Sequence, residues 1–172
     1  VCNATITGRQ TFLEIKPEEM TEILTTNVNG YLFCAQEAAK LMIPQRKGSI
    51  IMISSVQSKG AVPRMMAYAA SKAAINSVSR SIAIETAKYG VRCNVLIAGA
   101  IRVDKWEDFS DEEVARKRAN WPLERESTPE EIAQAALFLA GDQSATITGT
   151  ELTVDSGVTM CLLPYNKHWE EG

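Results

Sequence analysis

The stretch Ser49–Ser55, SIIMISS, is entered from Gly48 and is apolar almost without interruption. A strand with one face in water alternates apolar and polar residues; a strand covered on both faces has no reason to. The run therefore predicts a parallel strand buried within a sheet. Val91–Ala98 (VRCNVLIA) and Thr150–Asp155 (TELTVD) read the same way, and the opening VCNATITG reads as the end of a fourth strand.

Three helical patterns lie among these runs. Pro17 suits a first helical turn, and Glu18 and Glu19 place carboxylates at the positive end of the helix dipole. Apolar and small residues continue to about Ile43, with Pro44 ending the pattern. A second helix runs from about Met66 to Tyr89 and stops at Gly90, with Ala67, Ala70, Ala74, Ser77 and Ser81 forming a small-residue face that another helix can approach closely. The third has Thr128 as N-cap, Pro129 at the first position and Glu131 completing a capping box, and ends at Gly141. Strands and helices in strict alternation predict an α/β fold, a doubly wound parallel sheet with right-handed crossovers. Residues 1–172 read as a single domain of about four strands and three main helices. It carries a polar insertion at about 102–127 and a tail over 161–172. Ser110 and Glu113 form a second capping box inside the insertion, so a short lid-like helix is expected there.

Composition narrows the function classes. With a net charge of −3 and no basic stripe, nucleic acid is not an expected partner. No apolar stretch approaches the ~20 residues a membrane span needs. Cys2, Cys34, Cys93 and Cys161 are far apart without a CxxC pattern, which predicts buried free thiols in a reducing compartment, hence a cytoplasmic protein. The single histidine, His168, sits in the polar tail, so neither a histidine-based triad nor a histidine-rich metal site is available, and no metal is expected.

In a doubly wound sheet ligands sit beyond the carboxyl ends of the strands. Ser54 and Ser55 fall at such an end. Tyr68 and Lys72 open the following helix on one face, because they are four residues apart. An ammonium near a phenol favours the phenolate, and a serine hydroxyl can hold a carbonyl oxygen while the phenol delivers its proton. The spacing alone also fits a packed tyrosine beside a solvated lysine. Asn27 lies in LTTNVNGYLF, where Asn, Asn and Gly are poor helix-interior residues, which suggests a kink or a site for a bound water. A tolerated dip in helix propensity fits as well.

Asn27, Ser55, Tyr68 and Lys72 resemble, in order and spacing, the Asn-Ser-Tyr-Lys tetrad of the classical short-chain dehydrogenase/reductase family. CNAT is similar to the family's NNAG strand end, NVLIAGAIRV to its N-x-V-x-P-G-x-I-x-T segment, and GTELTVDSG to its last strand. STPEEIAQAALFLAGDQS resembles the helix before that strand. The likeness extends to about Met160, is similar to 3-oxoacyl-ACP reductase-like members, and implies the C-terminal, catalytic portion of a Rossmann-like domain. It implies NAD- or NADP-dependent interconversion of a carbonyl and a secondary alcohol in a small-molecule substrate. Tyr68 would be the acid/base; Lys72 would lower its pKa and hold the nicotinamide ribose. Ser55 would polarise the substrate oxygen, and Asn27 would anchor a water. Asn3 and Ala4 would touch the cofactor's ribose region, and Gly99, Ile101 and Val103 would line the nicotinamide. Gln57 and Met65 are candidate walls of the substrate pocket. Trp106 and Trp121 read equally as packing of the lid or as substrate contacts. A homodimer or homotetramer through helices 17–43 and 66–89 is implied as well.

Thr5, Ala98, Val103 and Ser156 depart from the family's usual Gly, Pro, Thr and Gly. The TGxxxGxG turn, whose glycines let the backbone approach a pyrophosphate, has no counterpart among the ten glycines. The chain opens on Val1, without a methionine, and is expected to be a piece of something longer. A truncated, non-catalytic scaffold that keeps only the fold is the alternative. A serine hydrolase is excluded for want of a usable histidine and a G-x-S-x-G elbow.

Overall fold

The computed structural model describes residues 1–99, 101 and 109–161. Strands β1 (Gly48–Ser55), β2 (Val91–Ala98) and β3 (Glu151–Val154) form a parallel sheet in the order β1-β2-β3, with Ile50 opposite Cys93, Met52 opposite Val95, and Val95 opposite Glu151. Helices α1 (Pro17–Leu24) and α2 (Gly30–Gln45) precede β1, α3 (Met66–Thr86) joins β1 to β2, and α4 (Asp111–Arg118) and α5 (Pro129–Ala140) lie between β2 and β3.

Because successive side chains of a strand point to opposite faces, β1 feeds two cores. Ile50 and Met52 pack with Cys93, Val95 and Ile97 against Tyr31, Ala35 and Ala39 of α2 and Ile75 and Ala83 of α3. Ile51 and Leu96 pack on the other face against Leu139 of α5, with Ile53, Ile132 and Leu152 around them. An unbroken apolar run is what burial on both faces demands, and the doubly wound reading of SIIMISS holds.

The opening residues behave as the end of a strand: Cys2 makes a parallel bridge to Met52, receiving the Ile53 N–H and donating to the Ile51 carbonyl. Two expectations need correction. Pro44 does not end its helix, which continues to Gln45. In the last turn a proline removes only one bond, and the chain turns at Arg46, whose φ is 52° and whose N–H reaches the Ile43 carbonyl. The cysteines are free, but only Cys93 is buried; Cys34 on α2 is exposed, and Cys2 and Cys161 are half-buried.

Local capping signals are realised closely. Thr128 accepts from Glu131 N–H while Glu131 accepts from Thr128 N–H, and Ser110 and Glu113 do the same for α4. After α3 a short 3-10 turn (Ala87–Tyr89) ends at Gly90, whose φ is +75°. A Cβ there would lie 2.3 Å from the Arg46 carbonyl oxygen. Gly90→Ala is therefore expected to lower stability by about 2 kcal/mol or more, from left-handed strain plus a backbone overlap. Denaturant unfolding of the purified variant checks it.

Candidate active site

The carboxyl end of β1 delivers two serines, both buried. Ser54 Oγ donates to the Lys72 carbonyl at 3.1 Å, tying strand end to helix start. Ser55 is extended and its Oγ accepts from Gln57 N–H at 3.2 Å, which opens a 3-10 turn (Val56–Ser58). Ser58 closes that turn by donating to the Ser55 carbonyl at 2.7 Å, and Asn76 of α3 donates to Ser58 at 3.1 Å. The first turn of α3 then brings half-buried Tyr68 beside the Ser55 side chain.

Lys72 follows one turn later, 2% exposed. Its Nζ donates to the Ile53 carbonyl at 2.9 Å and to the Tyr31 hydroxyl at 3.3 Å, and lies 5.6 Å from the centre of the Tyr68 ring. Burial lowers the Lys72 pKa to about 8. Burial also raises the Tyr68 phenol above its ordinary value, against the smaller opposing pull of the Ser55 hydrogen bond. The lowering of Tyr68 that the family resemblance implies is therefore not what this geometry displays. Desolvation disfavours both charged forms, and the ammonium is held toward Ile53 and Tyr31.

Asn27 sits in a π-helical segment, Thr25–Asn29, between α1 and α2. The helix interruption expected from its poor helix formers is thus a π-bulge, a geometry enriched at functional sites. Asn27 is fully buried. It accepts from Ile6 N–H at 2.9 Å and donates to the Ile6 carbonyl at 2.9 Å and to Ser71 Oγ at 3.0 Å. Ser71 in turn donates to the Tyr68 carbonyl at 2.7 Å, so Asn27 reaches the tyrosine's backbone through one hydroxyl.

Asn3 and Ala4 are exposed just past the Cys2 bridge. Gly99 is required by packing alone, since a Cβ there would lie 2.2 Å from Val56 Cγ1 and 2.8 Å from Asp155 Cβ. Ile101 bridges to Ser127, while Val103, Trp106 and His168 lie outside the described residues. Gln57 lines a cleft of about 390 Å³ with Val56, Gly60, Val62, Thr159 and Cys161; Met65, half-buried, directly precedes α3. The hydroxyls of Ser55 and Tyr68 and the Lys72 ammonium form a donor set suited to a carbonyl oxygen and a ribose diol. They fit the nicotinamide-ribose end of a dinucleotide.

Reading the sequence missed Tyr31, Ser71 and the Ser58–Asn76 pair. Tyr31 looks like core because it keeps the apolar period of α2. Its one signal is its place four residues after Asn27, on the same helical face, with a polar tip that a buried tyrosine must satisfy.

Residues 1–159 match a family described as enoyl-(acyl carrier protein) reductase. The chain is 39% identical over 161 residues to an L-rhamnose-1-dehydrogenase of Scheffersomyces stipitis, covering 92% of this chain and 62% of that one. It is 36% identical over 158 residues to a 3-oxoacyl-[acyl-carrier-protein] reductase of Chlamydia muridarum, covering 92% and 64%. Among solved structures, a gluconate 5-dehydrogenase from Burkholderia cenocepacia in complex with NADP and tartrate superposes with a TM-score of 0.86 at 30% identity, over 93% of this chain and 64% of that one. The chain belongs to the classical short-chain dehydrogenase/reductase family. It spans somewhat less than two thirds of the length of these three relatives.

Proposed function

We propose that the protein is an oxidoreductase interconverting a carbonyl and a secondary alcohol of a small molecule with NAD or NADP. The observation that carries this is the grouping of Ser55, Tyr68 and Lys72 at the carboxyl end of β1, with the Lys72 ammonium buried one turn behind Tyr68 and 5.6 Å from its ring centre. The nicotinamide dinucleotide supplies or accepts the hydride when bound. Asn3, Ala4, Gly99, Ile101 and Val103 would flank it, and Lys72 would hold its ribose.

Ser55 donates to the substrate oxygen and fixes it beside Tyr68. Because burial keeps the phenol protonated, Tyr68 is poised to donate as that oxygen gains charge in the reducing direction. The Lys72 charge then stabilises the phenolate left behind, in a site where solvent screens it little. Gln57 and Met65 bound the substrate side, and Asn27 holds the π-bulge and, through Ser71, the start of α3. The free thiols support a reducing, cytoplasmic location.

The test is to titrate NADH and NADPH separately into the complete protein by calorimetry, then follow nicotinamide absorbance with a panel of sugars, hydroxy acids and keto esters. Saturable binding with turnover supports the reading. A folded complete protein that binds neither coenzyme would overturn it and favour a scaffold.

We also propose a homodimer or homotetramer through helices 17–43 and 66–89. Phe33 and Leu41 of α2 and Ile84 of α3 are 59%, 70% and 80% exposed, large apolar side chains on helices the sheet does not cover. Ile84→Glu is expected to shift the protein to a smaller species in sedimentation velocity; an unchanged assembly would remove α3 from the interface.

A further inference from the structure

A charged lysine has three N–H donors and no acceptor, and the fold occupies two of those of Lys72. One goes to the Ile53 carbonyl at 2.9 Å and one to the Tyr31 hydroxyl at 3.3 Å. Tyr31 is 3% exposed, sends its own proton to the same Ile53 carbonyl at 3.3 Å, and sets its ring centre 5.0 Å from Nζ. That carbonyl is open to side chains because the ladder beside β1 stops at Cys2: Cys2 takes the Ile53 N–H, and the next rung, to the Ile53 oxygen, is filled by Lys72 and Tyr31 instead of backbone.

We propose that Tyr31 is a positioning residue for Lys72: its hydroxyl and the Ile53 carbonyl anchor two ammonium protons, so that the third faces Tyr68 and the ribose site. This rests on the oxidoreductase reading for its consequence, though not for its geometry. A buried phenol is the suitable anchor. It accepts from the ammonium without becoming an anion that would neutralise it, and burial keeps Tyr31 protonated, well above the ordinary tyrosine value. An aspartate in its place would pair with Lys72 and spend the charge that Tyr68 needs.

The other groups around Lys72 leave Tyr31 as its side-chain partner. From α3 it meets Tyr68, and β1 brings only neutral residues. From the π-bulge comes the amide of Asn27, bound to Ile6 and Ser71. In α1, Glu18 and Glu22 are exposed and Glu19 accepts from Gln10 and from Lys16 N–H. Lys59, past the 3-10 turn, pairs with Glu151, and the neutral Cys2 thiol lies 3.9 Å from the Tyr31 carbonyl.

The test uses the complete, coenzyme-free protein carrying Tyr31→Phe, which keeps the ring and deletes only the hydroxyl. The Lys72 titration is followed by NMR of 13Cε-labelled lysine, with Lys72→Arg to assign the resonance. Loss of an acceptor disfavours the ammonium, so the midpoint is expected to fall by about half to one pH unit from its wild-type value. The alkaline limb of the kcat profile for carbonyl reduction is expected to move down with it. An unmoved lysine midpoint overturns the proposal, and so does a moved midpoint with an unmoved kcat limb. If Tyr31→Phe does not fold, wild-type protein with 13Cζ-labelled tyrosine decides. The Tyr31 resonance must inflect at the Lys72 midpoint, and a flat response there overturns the anchor. Failure of the oxidoreductase reading appears separately, as wild-type protein without turnover whose lysine still responds to the missing hydroxyl.

Discussion

Tyr68→Phe in the complete protein is expected to lower kcat by roughly 10²–10⁴-fold, the range a positioned acid/base contributes, while the fold and coenzyme binding persist. The ring of Tyr68 is half-buried and its hydroxyl lies beside Ser55, so phenylalanine loses one polar contact and little packing. A loss of about 1 kcal/mol or less in stability follows, because Ser55 retains its bond from Gln57 N–H. Steady-state kinetics beside circular dichroism and coenzyme calorimetry check this, and unchanged turnover in a folded variant would remove Tyr68 from the mechanism. The two directions of reaction carry opposite pH signatures. Reduction needs the phenol and, to stabilise the phenolate it leaves, the Lys72 ammonium, so it should hold at neutral pH and fall as pH rises through the Lys72 titration. Oxidation needs the phenolate and should rise toward the tyrosine's titration. Burial raises the phenol, so in the coenzyme-free protein that titration lies on the alkaline side of the ordinary tyrosine value, and a bound coenzyme that draws the Lys72 charge closer would bring it down.

What could be read in the sequence was what is local. Thr128-Pro129-Glu130-Glu131 and Ser110 with Glu113 carry their own hydrogen-bonding instructions within one turn, and both helices start where those residues stand. SIIMISS declared its two buried faces through the lack of alternation, and four residues of spacing put Tyr68 and Lys72 on one side of α3. Asn27, Asn29 and Gly30 marked the helix as interrupted, although only the fold shows that the interruption is a π-bulge. What could not be read depends on partners distant in the chain. Lys72 is directed by Tyr31 and Ile53, which lie 41 and 19 residues away. The raised Tyr68 pKa is a consequence of burial, which no spacing expresses. Cys34 fits the apolar period of its helix yet faces solvent, because α2 covers the sheet with one side only.

Asn27→Ala tests the largest of these long-range debts. At a fully buried position it would delete three hydrogen bonds of 2.9, 2.9 and 3.0 Å and orphan the N–H and carbonyl of Ile6 together with one contact of Ser71. Ile6 is half-buried, so water can reach part of what is exposed. The expected loss is about 1–3 kcal/mol rather than the full penalty of several buried groups. Thermal and denaturant unfolding measure that loss. Activity should fall as well, because Ser71 loses its donor from the bulge while still holding the Tyr68 carbonyl. Asn27→Asp separates hydrogen bonding from volume. Its carboxylate can accept from Ile6 N–H but cannot donate to the Ile6 carbonyl or to Ser71, and it places a charge where the native residue is 0% exposed. At neutral pH it is expected to be less stable than Asn27→Ala. Burial would raise the folded-state pKa of that carboxyl above its unfolded value, so the unfolded chain releases the proton first and stability falls as pH rises. Acidification toward the carboxylate range should therefore narrow the gap between the two variants, since the neutral acid regains a donor. A gap that is constant with pH would mean that position 27 acts through shape alone, and that the π-bulge does not depend on the pattern of donors and acceptors read here.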